Sequence, residues 1–433
     1  MAEVRAIRGS ILHCLADPGE HAAGDAVEHF EDGVLVVEGG LVRAVGDAQT
    51  TLAAFGDAEV VDHTGELIVP GFIDCHVHFP QIDIIASWGE QLLDWLDRYA
   101  YPAERRFADR AHADEVAAFF VDELLRNGTT TALVFATVHP HSVDAIFAAA
   151  KDRNMRLLAG KVLMDSNCPD DLRDDPESAY ADSRALLERW HGDGRLGYAI
   201  TPRFALTSSE AQLTEAGKLA GEFPDVYVHT HLAENDEECT LIAERFPWSR
   251  SYLDVYERFD LVRERSVFAH CLHLDDEDRR QLAAQGGAIA FCPSSNLFLG
   301  SGLFDLRAAH DAGIRVGVGT DVGGGTSLNM LRTLSDGYKA LQLAGQSLPG
   351  FRALYLATLG AARALYLDDR LGNFAVGKEA DFVVLDSAHA SMTARRVGSA
   401  DDVAEQLFAL IMLGDDRAIS ATYLMGEAAY AAR

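Results

Sequence analysis

The chain has 433 residues, 48% of them hydrophobic and 24% charged, and its 67 Asp and Glu against 37 Lys and Arg give a formal charge of −30. That length buries a large core and allows either two or three domains or one barrel with an accessory domain. So acidic a surface repels phosphate backbones, which argues against a nucleic-acid polymer as partner.

The N-terminal stretch MAEVRAIRGSILHCLADPGE has no apolar core of the length a signal peptide needs. No later run approaches the ~18 apolar residues of a membrane span. The six cysteines (Cys14, Cys75, Cys168, Cys239, Cys271 and Cys292) are scattered and none lies in a Cys-x-x-Cys pair. That pattern suits free thiols in a reducing compartment. A cytoplasmic protein that does not engage a membrane is expected.

Residues 1–68 read as short strands and turns, with GVLVVEGGLVRAVG forming a hairpin around Gly39 and Gly40. The pattern then changes. Eight apolar runs follow at intervals: LIVPGFIDCHVH, TTTALVFAT, LLAGKVLMD, LGYAITPRF, VYVHTHLAE, SVFAHCLHL, GAIAFCPSSN and IRVGVGTD. Long stretches rich in Ala, Leu, Glu and Arg separate them. Strands alternating with helices indicate a parallel sheet, and eight such units suffice to close a (β/α)8 barrel, here over residues 69–371. From residue 372 to 433 the text is strand-like again (EADFVVLD, SATYLMGEAAYA). Each flank is too small for a core of its own, so residues 1–68 and 372–433 are expected to pack together as a composite β-sandwich.

In such a barrel the chemistry sits at the C-terminal ends of the strands. The first run ends in His76-x-His78, whose side chains share one face of an extended segment. The fourth ends in Arg203-Phe204, the fifth in His231 with Glu234 just beyond, the sixth in His270 and the eighth in Asp321. Singly, each has an ordinary explanation: a core histidine bonded to a carbonyl, an aspartate supporting the Val322–Gly325 turn, an acidic residue welcome at a helix start. Together they bring imidazoles and a carboxylate to one rim. That donor set suits Zn²⁺ or Fe²⁺ with a position left for water.

Two comparisons within the chain sharpen the pattern. His139 and His141 have the same spacing but flank Pro140 in a loop, and are expected at the surface. His229 shares a face with His231 one layer deeper, beneath the site. Lys161 comes too early in its run to bridge two metals, and the fourth run ends in Arg rather than Lys, so one metal per chain is expected.

The text VDHTGELIVPGFIDCHVH, with LGNFAVGKEADFVVLD near the C-terminus, resembles the amidohydrolase superfamily over nearly the whole chain. Within it, HVHFPQIDIIASWGEQLLDWLDRYAYPAERRF, TPRF, HTHLAEND and GVGTDVGGGTSLNM are similar to the guanine deaminases. The resemblance implies a zinc-dependent (β/α)8 barrel, dimeric, that converts guanine to xanthine and ammonia in purine catabolism. It implies His76, His78, His231 and Asp321 as metal ligands and His270 as the residue that orients water or substrate. Gln81, Arg203 and Phe204 would hold the purine, alongside His231, Glu234 and Asp321, and Glu234 would shuttle protons. The chemistry is consistent with this: guanine's adjacent O6 and N7 acceptors suit a guanidinium fork, and Asp321 can accept a proton from water. The segment 82–107, with Trp88 and Trp95, is too long for a simple connection and is expected to cover the site. Zinc deaminases of the other scaffold carry Pro-Cys-x-x-Cys, which this chain lacks. Two rivals stand beside this reading: deamination or dechlorination of another heterocycle (pterin, triazine or adenosine derivative), and a metal-free scaffold, which would be expected to have lost ligand histidines.

Overall fold

The computed structural model describes residues 4–21 and 24–432. The N-terminal flank supplies β1 (Val4–Cys14), β2 (Val27–Glu38), β3 (Leu41–Asp47) and β4 (Glu59–Pro70). Gly39 and Gly40, at φ 61° and 83°, turn β2 into β3. Two successive positive φ values match the right-handed twist of paired strands, and glycine adopts them without strain.

After Gly71 the chain enters a second sheet. Its strands are β5 (Phe72–His78), β6 (Thr129–Phe135), β7 (Arg156–Gly160), the two-residue β8 (Val162–Leu163), β9 (Leu196–Pro202), β10 (Tyr227–Leu232), β11 (Ser266–His270), β12 (Ala288–Phe291) and β13 (Arg315–Val318). Apart from β8, which extends the pairing beside β9, they run parallel in chain order from β5 to β13. Helices follow the strands, as in 110–126, 140–152 and 210–222. The eight apolar runs are these eight strands. They are legible because helices cover one face and the barrel interior the other, so the strands are buried along nearly their whole length and their text is rich in apolar residues.

The C-terminal flank adds β14 (Phe382–Leu385), β15 (Ile419–Leu424) and β16 (Glu427–Ala431). They join the N-terminal strands in the order β16-β15-β14-β4-β1-β2-β3, with Phe382 opposite Pro70 and Val384 opposite Ile68. Both ends of the chain thus build one β-rich unit. Strand alternation divides its apolar residues: Ile7, Leu35 and Val37 pack with Phe382, Val384 and Tyr423, while Ala6, Val34 and Val36 pack under the helix Ala48–Ala54. Arg195, at the start of β9, ties this unit to the barrel through ion pairs with Glu379 (2.7 Å) and Asp381, and Arg156 also engages Glu379.

The first and last barrel strands meet at their C-terminal ends. The Asp321 amide donates to the His76 carbonyl at 2.9 Å, and the His78 amide donates to the Val322 carbonyl at 2.8 Å. Gly319 makes this approach possible, because a Cβ there would lie 2.9–3.1 Å from the Cβ, oxygen and nitrogen of His76. No helix among the described residues is long and apolar enough to cross a membrane.

Candidate metal and catalytic site

The rim formed by this closure gathers the strand-end residues. His78 Nε2 lies 3.2 Å from both His76 Nε2 and His231 Nε2, and 3.3 Å from Asp321 Oδ1, which is itself 3.1 Å from His76 Nε2. Donor atoms of His76, His231, His270 and Asp321 fall within 4.8 Å of one another, so His270 stands beside the same point. His270 (φ 71°) and Asp321 (φ 51°) both hold left-handed backbone. For residues with a side chain that costs roughly 1–3 kcal/mol each, and such strain gathers at functional sites.

The outer hydrogen bonds fix which ring nitrogens face inward. His231 Nδ1 donates to the Arg203 carbonyl at 2.6 Å, so its Nε2 presents a lone pair to the cluster. His270 Nδ1 is held 2.8 Å from Asn296 Oδ1, which turns its Nε2 inward in the same way. His229 sits beneath the cluster, its Nε2 2.7 Å from His76 Nδ1. Burial, with neighbouring His76 adding to it, pushes His78 down to about 3 and holds His229 and His231 well below the ordinary histidine value. The rings are therefore neutral at physiological pH, the form that ligates metals.

Lone pairs and a carboxylate facing each other this closely need a cation between them. Four donors about 2.0–2.1 Å from a tetrahedral ion stand about 3.3–3.4 Å apart, close to the 3.1–3.3 Å of the four contacts that link His76, His78, His231 and Asp321. The residues present fit a single divalent metal.

Glu234 flanks the cluster, its Oε2 3.2 Å from His270 Nε2 and its Oε1 accepting from Ser301 Oγ at 3.2 Å. Burial and then the charge of Asp321 push its carboxyl up to about 8. Glu238 holds the local backbone by accepting from the Glu234 amide (3.0 Å) and the Asn235 amide (3.3 Å). Such a carboxyl, protonated near neutrality beside an ionised one, is suited to donating protons.

A buried cavity opens over the cluster. Gln81, Arg203 and Phe204 line it, together with Trp95 and Leu96 from the 82–107 segment. Trp88, expected to share in covering the site, is instead 76% exposed. Ser295 also lines the cavity, its hydroxyl buried without a partner. The other singled-out residues lie elsewhere. His139 and His141 stack at the start of a helix, half-buried rather than on an open loop surface, with His141 Nε2 2.7 Å from the Phe107 carbonyl. Lys161 is buried in an ion pair with Asp174. Sequence reasoning passed over Ser295 and the buried Glu104, which binds Arg203 at 2.7 Å. Nothing in the run YPAERRF distinguishes Glu104 from a solvated helix charge.

A model of the amidohydrolase family matches residues 67–429. Over 431 residues the chain is 48% identical to guanine deaminase of Escherichia coli (strain K12), covering 99% of this chain and 98% of that protein. A solved structure of E. coli guanine deaminase superposes with a TM-score of 0.97, covering 99% of this chain and 100% of the other. Guanine deaminase from C. acetobutylicum, solved with guanine bound in the active site, gives a TM-score of 0.90 at 26% identity, covering 98% and 100% of the two chains.

Proposed function

The chain belongs to the amidohydrolase family, and on that footing we propose that it is a guanine deaminase, hydrolysing guanine to xanthine and ammonia. The observation that carries this reading is the full-length likeness to guanine deaminases, one of them solved with guanine in place. We assign His76, His78, His231 and Asp321 as ligands of one Zn²⁺, with Fe²⁺ as the alternative ion. When bound, the metal supplies Lewis acidity that brings the ionisation of water from 15.7 to about 7.

The chain's own residues do the rest. Gln81 and Arg203 hold the polar edge of the purine and Phe204 offers it a face, while the 82–107 segment excludes bulk water. Asp321 takes the proton from the attacking water, oriented by His270, as its oxygen bonds to the amino-bearing ring carbon. Glu234 gives a proton to the adjacent ring nitrogen, takes one back from the hydroxyl on the attacked carbon as that becomes a carbonyl, and passes it to the departing amine, after which the proton held by Asp321 restores Glu234. The carbon–nitrogen bond then breaks and ammonia leaves. Residues 1–68 with 372–433 form the accessory β-unit of this division, residues 69–371 the catalytic barrel, and the enzyme works as a cytoplasmic homodimer. Ammonia release from a panel of aminopurines, pterins and triazines tests the reading: guanine should be the preferred substrate, and a pterin or triazine turned over faster would displace it.

A further inference from the structure

Glu104 comes from the short helix Tyr101–Arg105 of the covering segment and is 1% exposed. Its Oε1 accepts from Gln81 Nε2 at 3.0 Å and from Arg203 Nη1 at 2.8 Å, and its Oε2 accepts from the same Nη1 at 2.7 Å. Gln81 Oε1 in turn accepts from the Gly323 amide at 3.2 Å. The guanidinium carbon of Arg203 stands 5.1 Å from the centre of the Tyr101 ring. One carboxylate thus holds both polar side chains assigned to the purine.

Two physical consequences follow. The Gln81 amide has a single acceptable orientation, because turning it over would set its oxygen against the carboxylate and its NH₂ against an N–H. The second concerns charge. Burial works against the Arg203 guanidinium, while Glu104 and Tyr101 hold its pKa above the ordinary value. With Arg203 at 2% exposure and Glu104 at 1%, the pair is removed from water, and its fields cancel locally. The cavity then offers hydrogen-bond donors without a net positive charge.

We propose that Glu104 is a positioning and specificity-determining residue: it fixes Gln81 and Arg203 for a neutral purine and cancels the charge that would retain an anionic one. The proposal rests on the guanine deaminase reading. Guanine enters neutral. Xanthine, with a second ring carbonyl, has a more acidic N–H and is largely anionic in mildly alkaline water, so the same carboxylate that positions the substrate disfavours the ionised product.

The test compares wild type, E104Q and E104D, all metal-loaded, in mildly alkaline buffer. The readouts are KM for guanine and the inhibition constants of xanthine, which is charged there, and of hypoxanthine, which is not. In E104Q, KM should rise, and inhibition by xanthine should tighten relative to hypoxanthine by roughly tenfold or more, because a cancelled ion pair is replaced by an uncompensated cation. E104D keeps the charge but draws it back by one methylene, and the same shift is expected at a few-fold. It decides the matter if E104Q does not fold. An unchanged xanthine-to-hypoxanthine ratio in the folded variants overturns the proposal, whatever happens to KM. Guanine turnover by the wild type tests the underlying reading separately, so the two failures are distinct.

Discussion

His231 Nδ1 lies 2.6 Å from the carbonyl oxygen of Arg203. A carbonyl only accepts, so the bond fixes the imidazole tautomer and aims Nε2 at the cluster. It also ties the residue assigned to the base to a residue assigned to the metal. The end of β9 is therefore a shared support: whatever displaces the Arg203 backbone displaces a ligand.

Elemental analysis should find about one divalent metal per chain. Chelation should abolish turnover and lower Tm, since an ion present at 1,000 times its Kd adds about 4 kcal/mol to the folded state. His76→Ala should lose metal and activity together. Two ions per chain would sink the mononuclear assignment.

Glu234→Gln should keep the metal, because Glu234 is not among the assigned ligands, and lose turnover by ~10²–10⁴-fold as an amide cannot carry protons. Metal content and a thermal melt measured on the same preparation separate chemistry from folding. Turnover within a few-fold of wild type would pass the proton work to Asp321.

Arg203→Ala should reduce kcat/KM for guanine more than for 2-aminopurine, which has no O6. A good bidentate contact discriminates by ~1–3 kcal/mol, or roughly 5- to 150-fold. Equal losses on the two substrates would make Arg203 a structural residue.

Gly319→Ala should weaken both metal retention and stability. The added methyl meets His76 backbone atoms at 3.0–3.1 Å and its Cβ at 2.9 Å, and β5 has little freedom to move there. Overpacking of this kind costs typically ~1–3 kcal/mol. A variant with wild-type melting and full metal would show that the closure tolerates a wider gap.

Arg195→Ala should destabilise the fold without altering the chemistry of the cluster. It leaves Asp381, 5% exposed, and Glu379 short of their shared cation. Breaking a buried pair from one side typically costs ~3–5 kcal/mol. Denaturant melts should register that loss while kcat of the folded fraction is retained.

How much of this was legible depended on whether the signal was local. The barrel strands announce themselves because burial on two faces leaves little room for charged residues, as in β6 and β9. His76 and His78 declare a shared face by strand spacing alone. Spacing does not suffice by itself: His139 and His141 have it too, and a helix start sends them elsewhere. Glu104 was illegible for a different reason. Its short helix offers no periodicity, and its partners Gln81 and Arg203 reach it only through the barrel's tertiary arrangement. The left-handed backbone at His270 and Asp321 likewise could not be read locally: Asp and His enter that region more often than most residues, but nothing in the flanking text marks these two.

The amide bonds between β5 and the segment after β13 have a meaning for biosynthesis. At the ribosome His76 and His78 emerge early, while β13 and Asp321 just beyond it are among the last parts of the barrel to be made. A nascent chain therefore displays two imidazoles without Asp321 and without a closed rim, and the donor set assigned to the metal is complete only once β13 has docked on β5. On that assignment metal capture is a late event, and an ion held in place would report a finished barrel.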